Sequence, residues 1–440
     1  MPHATLLSEP PELVVAPTRP LRVVLVDEEL PYPPTSGKRI RTYNLVRRLA
    51  PRHRLTYVCH RNADADEARI AEAHFADLGI RTVVVERSVP PKSGPGFYLR
   101  LAANLFSPLP YSVAAHTSRQ LAAALVEVAD REPVDLWHCE WTPYAQSLRG
   151  LAGRRLVMAH NVESVIWQRY HETAEGTLKR WYIRKQWHKF RTFERAALAG
   201  ADLTVAVSPL DAERFRRDLE VPRVDVVDNG VDTSFFRPTS TPRDPRSLLF
   251  LGSLDWRPNL DGVVQFLDKV MPVLRQQEPS VKFVVVGRNP PAWLTARIAT
   301  EPGVELHASV PDVRPFLAKA GVMVVPLRIG GGSRLKILES LACALPVVST
   351  RVGAEGLHLQ DGRHLDLVED VADMTPALLA AIRDPARAHR MAQAGYEQTI
   401  RLYDWAVLTD RLERLWMQCA ERSRDHAPLS PCTQGERGRG

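Results

Sequence analysis

Through the first half of the chain, short runs rich in Val, Leu and Thr recur at 22–27 (RVVLVD), 55–60 (LTYVCH), 82–87 (TVVVER), 135–140 (DLWHCE), 155–160 (RLVMAH) and 203–208 (LTVAVS). Stretches of helical period separate most of them, so strands and amphipathic helices alternate. Alternation of this kind builds βαβ units, whose strands run parallel and are covered by helices on both faces. The pattern predicts one doubly wound α/β domain over 21–227. Between 228 and 247 Pro, Ser, Thr and Asp accumulate and the alternation stops. It restarts with LLFLGS, KFVVVG, VELHAS, GVMVVPL and LPVVST. A linker at 228–247 and a second parallel-sheet domain over 248–400 are therefore expected, followed by a helix at 401–422 that packs back on the first domain. The ends, 1–20 and 423–440, carry few core residues and are expected to be disordered tails. Open parallel sheets bind ligands beyond the carboxyl ends of their strands. Two such domains facing a central cleft make a site for two substrates.

Composition narrows the class. With 440 residues, 45% of them apolar, the chain can bury two cores of ordinary size. No stretch approaches ~20 uninterrupted apolar residues, and the first twenty lack the basic start and hydrophobic run of a signal peptide, which predicts a cytoplasmic protein. Cys59, Cys139, Cys343, Cys419 and Cys432 are odd in number and scattered, with no CxxC spacing, and read as buried thiols. A formal charge of +7 suits anionic small molecules, an anionic membrane surface or nucleic acid alike.

Candidate chemistry concentrates in VMVVPLRIGGGSRLKILESLACALPVVST, a strand, a glycine turn, a helix and another strand. Three glycines from Gly330 let the backbone approach an anion, and Ser333 can cap a helix starting at Arg334. Arg334 and Lys336 in the first turn oppose the helix dipole, a penalty that a bound diphosphate reverses. Leu335, Leu338 and Leu341 form the expected buried stripe, leaving Lys336 and Glu339 three apart on a neighbouring face. Glu339 can accept hydrogen bonds from ribose hydroxyls, and a Lys–Glu surface pair on an ordinary crossover helix is an equal alternative.

With LGSLDWRPNLDGVVQFL at 251–267, VVVGRNP at 284–290, VELHASVPDVRPFLAKAGVMVVPL at 304–327, the glycine-turn segment and VGAEGL at 352–357, the chain resembles the glycosyltransferase family 4 enzymes, from about Leu21 to Trp416. It looks most similar to a bacterial branch associated with exopolysaccharide assembly. The resemblance implies the GT-B fold, two Rossmann-like domains facing a cleft, and a retaining transfer of a hexosyl group. It further implies a UDP- or GDP-sugar donor on the C-terminal domain and a lipid-linked or oligosaccharide acceptor. In that family a Glu-x7-Glu element holds ribose with its second glutamate and contacts the sugar with its first. Glu339 matches the second, while the first falls on Gly331, so backbone amides of Gly331, Gly332 and Ser333 are expected in its place. Phosphate binding is assigned to Arg334 and Lys336, which would also assist diphosphate departure, with Gly252 and Arg257 after the first strand of the second domain as further donor-side matches.

In the first domain, PYPPTSGKRIRTYNLVRRLA places Gly37 in a loop before an arginine-rich helix, a position that in the resembled enzymes lies against donor phosphates and acceptor. A tight turn of any α/β domain would look the same. His160 and Glu163, in AHNVES directly after a strand, are expected at the cleft on the acceptor side, His160 matching a position that contacts sugar or acceptor in related enzymes. Glu194 and Ser208 read as structural. Asp64 and Asp66 have the Asp-x-Asp spacing of metal-dependent transferases but open a polar helix, and read as capping and surface. No metal and no cofactor are expected. LKRWYIRKQWHKFRTFER, at 178–195, mixes cations and aromatics as helices on an anionic membrane do, or is a partly buried helix with a solvated basic face. Nucleic acid is not expected as a partner. Two rivals remain from the sequence: a nucleotide-sugar epimerase on the same architecture, and a noncatalytic sugar-nucleotide-binding member of a synthesis complex, motivated by Gly331.

Overall fold

The computed structural model describes residues 19–86, 93–329 and 334–421. Two wholly parallel sheets carry the architecture. The first has seven strands, β1 (Arg22–Val26), β2 (Arg54–His60), β3 (Arg81–Val85), β4 (Leu136–Cys139), β5 (Arg154–Ala159), β6 (Leu203–Ala206) and β7 (Val224–Val226), in the order β3-β2-β1-β4-β5-β6-β7. The second has six, β8 (Asp244–Leu251), β9 (Lys282–Gly287), β10 (Val304–Ala308), β11 (Ala320–Val325), β12 (Val347–Thr350) and β13 (Asp366–Val368), in the order β10-β9-β8-β11-β12-β13. This is the expected pair of doubly wound α/β units.

The sequence of β1 shows why helices cover both faces. Val23 and Leu25 enter one core cluster, while Val24 and Val26 enter the cluster on the other side of the sheet. In β8, Leu248 and Phe250 divide from Leu249 and Leu251 in the same way. Because both neighbours of a side chain on such a strand point to the opposite face, a run of apolar residues is buried twice over.

β8 begins at Asp244, inside the segment expected as linker. Its first residues are polar and half exposed, yet Asp244 pairs with Ala320 and Ser247 with Lys282, so backbone pairing extends the strand beyond its apolar core. The crossing segment before it is also tied down. Val231 N–H donates to Tyr403 O at 2.8 Å and Trp405 N–H to Val231 O at 3.2 Å. A Cβ on Gly230 would stand 2.5 Å from Leu408 Cδ1 and 2.7 Å from Tyr403 O, so only glycine fits the crossing. The helix Trp405–Glu421 then lays Trp405, Leu408, Leu412, Leu415, Trp416 and Cys419 into the core cluster of the first sheet.

Cys59, Cys139, Cys343 and Cys419 are free and buried. The calls on Cys432 and on both tails fall wholly or mainly outside the described residues. Among the described residues, no helix is long and apolar enough to cross a membrane.

Candidate functional site

In each sheet the strand order reverses at its first strand: β1 lies between β2 and β4, and β8 between β9 and β11. A crevice opens beyond the carboxyl ends at such a switch point, because the crossover helices leave in opposite directions. The segments following β1, β4 and β8 are therefore where chemistry is expected. Contacts between the two units cluster near these ends. Arg288, after β9, donates from Nη1 to Thr35 O at 3.2 Å, and a Cβ on Gly356 would meet Ser208 Cβ at 3.6 Å.

On the second unit, Gly252 directly follows β8. A Cβ there would stand 2.8 Å from Asn259 Nδ2 and 2.9 Å from Lys336 Nζ, so the glycine makes the room in which these side chains meet. Lys336 Nζ donates to Asn259 Oδ1 at 2.8 Å and lies 4.3 Å from the centroid of the Phe250 ring. Asn259 is itself oriented by donating to Ser253 O at 2.8 Å. Burial pushes Lys336 down to about 7 against the pull of Glu339, and pushes Glu339 up to about 7 against the pull of Lys336. The two are not a solvated surface pair. The lysine is committed to Asn259, and no ion pair joins it to Glu339.

Two local expectations are corrected. The helix runs Leu335–Ala342, and Arg334 is its N-cap in the left-handed region at φ 53, outside the first turn. Its guanidinium reaches back to Val352 O at 3.0 Å and Glu355 Oε2 at 3.2 Å. Burial holds Arg334 below its ordinary value, opposed by Glu355 and by Asp211 of the first unit. The buried face is Ile337, Leu338, Ser340, Leu341 and Ala342, with Leu335 only partly covered, and the helix starts one residue later than the sequence implies. Gly331, Gly332 and Ser333 lie outside the described residues. Arg257 does not join Lys336; it is exposed at the first position of the helix Arg257–Lys269.

On the first unit, Gly37 is not in a loop. It is the first residue of the helix Gly37–Leu49, capped by Ser36, whose side chain accepts from Arg39 N–H at 3.3 Å. Lys38, beside it, bonds to Asp27 at the end of β1. Burial alone would lower Lys38, but Asp27, with Glu28 and Glu140, outweighs it and holds the ammonium above its usual range. His160 follows β5, and its Nε2 stands 3.2 Å from Glu140 Oε2, which also accepts from the Thr42 hydroxyl at 3.2 Å. Burial, helped by the charges of Arg41 and Lys38, lowers His160 against the pull of Glu140. Glu140 is buried, and the Nε2 atoms of His138 and His160 stand 3.2 Å from its two carboxylate oxygens. Glu163 is bound to a neighbour, accepting from Trp141 Nε1 at 3.0 Å, with burial raising its carboxyl.

Glu194 accepts from the backbone N–H groups of Glu163 and Ser164 at 2.8 and 3.0 Å, and Ser208 accepts from Asp211 N–H at 3.1 Å; both are structural caps. Asp64 caps the helix Ala65–Asp77, accepting from Glu67 N–H at 2.8 Å, and Asp66 is exposed. No group of three or more His, Cys, Asp or Glu side chains among the described residues is placed to hold a metal ion. Sequence reasoning missed Asp27, Lys38, Glu140 and Asn259. The first and third stand at strand carboxyl ends, the same positional signal that singled out His160.

Residues 35–235 match the family model described as Glycosyltransferase Family 4, and residues 245–384 match that of Glycosyl transferases group 1. The chain is 32% identical over 255 residues to a D-inositol 3-phosphate glycosyltransferase of Thermomonospora curvata, covering 50% of this chain and 57% of that one. It is 28% identical over 210 residues to a GDP-mannose-dependent alpha-(1-6)-phosphatidylinositol monomannoside mannosyltransferase of Mycolicibacterium smegmatis, covering 42% and 54%. The chain thus spans about half the length of the curated relatives it matches. In fold it is similar to Anabaena HepE, solved with UDP and glucose, at TM-score 0.60, 13% identity and coverage of 90% and 99%. It is likewise similar to a sucrose-phosphate synthase of Thermosynechococcus elongatus, at TM-score 0.65, 18% identity and coverage of 90% and 98%. With the crevices of both sheets brought together, the chain carries a Glycosyltransferase Family 4 domain on the first parallel sheet and a Glycosyl transferases group 1 domain on the second, in the two-domain GT-B architecture.

Proposed function

We propose that this chain transfers a hexosyl group, with retention of configuration, from a UDP- or GDP-sugar to a hydroxyl of a lipid-linked or oligosaccharide acceptor in bacterial polysaccharide synthesis. The observation that carries the donor side is the placing of Lys336, in the first turn of a helix, beside Asn259 and Gly252 at the switch point of the second sheet. A helix N-terminus with a lysine there suits a diphosphate, whose charge both groups stabilise. The Glu339 side chain, one turn on, makes no hydrogen bond among the described residues and is available to ribose hydroxyls. Transfer needs no metal in this reading: Lys336, Arg334 and the amides of Gly331, Gly332 and Ser333 take up charge as the glycosidic bond breaks. His160 and Glu163 lie on the acceptor side, and Gly37, Gly252 and Arg257 on the donor side. No cofactor beyond the nucleotide sugar enters the reaction.

Support for the donor class comes from neighbours in fold solved with UDP and with UDP-glucose, and from a relative described as GDP-mannose-dependent, so both bases stay in the proposal. The helix Thr177–Ala199 buries Phe190, Phe193 and Leu198 but exposes Leu178 and Trp181 beside Lys179, Arg180, Arg184 and Lys185. That mixture suits peripheral contact with an anionic membrane on the cytoplasmic side, where a lipid-linked acceptor resides. Thermal melting with UDP, GDP, UDP-glucose and GDP-mannose tests the proposal. One base series is expected to raise the melting temperature, and Lys336→Met to abolish the rise. Silence of all four ligands on the folded wild type would overturn the donor assignment.

A further inference from the structure

A buried chain of polar groups runs from the C-terminal helix toward the cleft. Trp416 is fully buried, and its indole Nε1 donates to His138 Nδ1 at 2.8 Å. An indole N–H only donates, so Nδ1 of His138 must be the bare, accepting nitrogen, and the ring proton sits on Nε2. That Nε2 stands 3.2 Å from Glu140 Oε1, in a contact bent away from hydrogen-bond alignment. The other carboxylate oxygen faces His160 Nε2 and the Thr42 hydroxyl. An ionised carboxylate only accepts, so His160 carries its proton on Nε2 and keeps Nδ1, unbonded among the described residues, as an acceptor.

We propose that Trp416 is a positioning residue for the cleft: by fixing the tautomer of His138 it keeps that ring uncharged, and so leaves the Glu140 charge undivided to hold His160 with Nδ1 open to a ligand hydroxyl. The inference rests on the reading of His160 as a cleft group. Without the indole N–H, Nδ1 of His138 is free to take a second proton, and the resulting imidazolium would compete with His160 for the same carboxylate. The other charges bearing on these rings come from different elements. Lys38 and Arg41, of the helix Gly37–Leu49, act on both Glu140 and His160. Asp27 holds Lys38, and Arg41 donates to the backbone carbonyls of Val227 and Asp228. On the far side of Trp416, His53 packs edge-on and its Nε2 stands 3.0 Å from Glu413 Oε1. None of these groups bonds to the indole nitrogen, so a change at Trp416 reaches His160 through His138.

The test is an NMR titration, across neutral pH, of the full chain with isotope-labelled histidine ring nitrogens. In the wild type, His138 is expected as the Nε2–H tautomer. Trp416→Phe keeps an aromatic ring and removes the indole N–H; it is expected to let His138 take a second proton and to lower the midpoint of His160 by at least about half a unit. In a His138→Phe background the same change is expected to leave His160 where it stands. A wild-type His138 found charged or as the Nδ1–H tautomer overturns the proposal, even if Trp416→Phe fails to fold. So does a His160 midpoint that Trp416→Phe leaves unmoved, or moves equally with and without His138. Because the readout is ring ionisation, failure of nucleotide binding would overturn the donor reading without touching this one.

Discussion

Lys336 and Glu339 both stand at about 7, and the sign of each shift fixes a different measurement. For Lys336 the folded value is depressed from 10.5. Its contribution to stability is therefore present above that unfolded value and is lost as pH falls through about 7, since the unfolded chain binds more protons in that window. For Glu339 the folded value is raised from 4.5, so its contribution is present below that value and is lost as pH rises through about 7. Without ligand, Lys336→Met is thus expected to flatten the rise in melting temperature on the alkaline side of neutrality. A bound diphosphate favours the ammonium, so binding of UDP or GDP above neutral pH is expected to take up a proton. Calorimetry in buffers of differing ionisation enthalpy measures that uptake, and a heat independent of buffer would remove Lys336 from the phosphates. Glu339→Gln keeps size and helix propensity. Donor affinity is expected to weaken by roughly 1.5–3 kcal/mol, the range for hydrogen bonds to a charged group, with little change in unliganded melting. Unchanged affinity by titration would falsify the ribose role.

Among the elements, the helix Trp405–Glu421 makes the clearest energetic prediction. Leu412 is buried against the first sheet, far along the chain from the strands it covers. Leu412→Ala is expected to cost about 2–5 kcal/mol through lost burial and a residual cavity, read as a shift in the denaturant midpoint. A change below experimental error would mean that the helix is not part of that core. The strands differ in how plainly the sequence showed them. β1, β2, β9 and β11 are runs of alternating destination, buried on both faces, and their apolar period is enough to identify them. β7 and β13 have three residues each, VDV and DLV, too short for a period to register against the background of the chain. The start of the helix at Leu335 was equally hidden, because a left-handed N-cap arginine has no sequence signal like that of Ser or Asp. Gly37 was misplaced for a related reason: the glycine pointed to a turn, while the cap at Ser36 one residue earlier began the helix.

At the scale of the molecule, two expectations concern partners. If Lys336, Arg334 and backbone amides carry the leaving diphosphate, chelators are expected to leave the transfer rate almost unchanged. Loss of activity in chelator with recovery on adding Mn²⁺ or Mg²⁺ would count decisively against that reading. The exposed basic and aromatic face of Thr177–Ala199 is expected to carry the protein down with anionic liposomes at low ionic strength and to release it as salt screens the charge. Equal recovery with neutral liposomes would assign the binding to something other than charge.

What the sequence by itself determined are the properties that local period and local chemistry encode. These are two alternating βα blocks, the break between them, and a helix with Lys336 and Glu339 one turn apart. Only the tertiary structure decided which distant residues those elements bring together. Thr42 meets Glu140 from 98 positions away, and Trp416 meets His138 from 278. Lys336 finds Asn259 across 77 positions in the space that Gly252 leaves. The physical reason is the same in each case. A strand's period fixes which way its side chains point, whereas the order of strands in a sheet and the docking of a late helix set which of them touch, and no local pattern of residues carries that order.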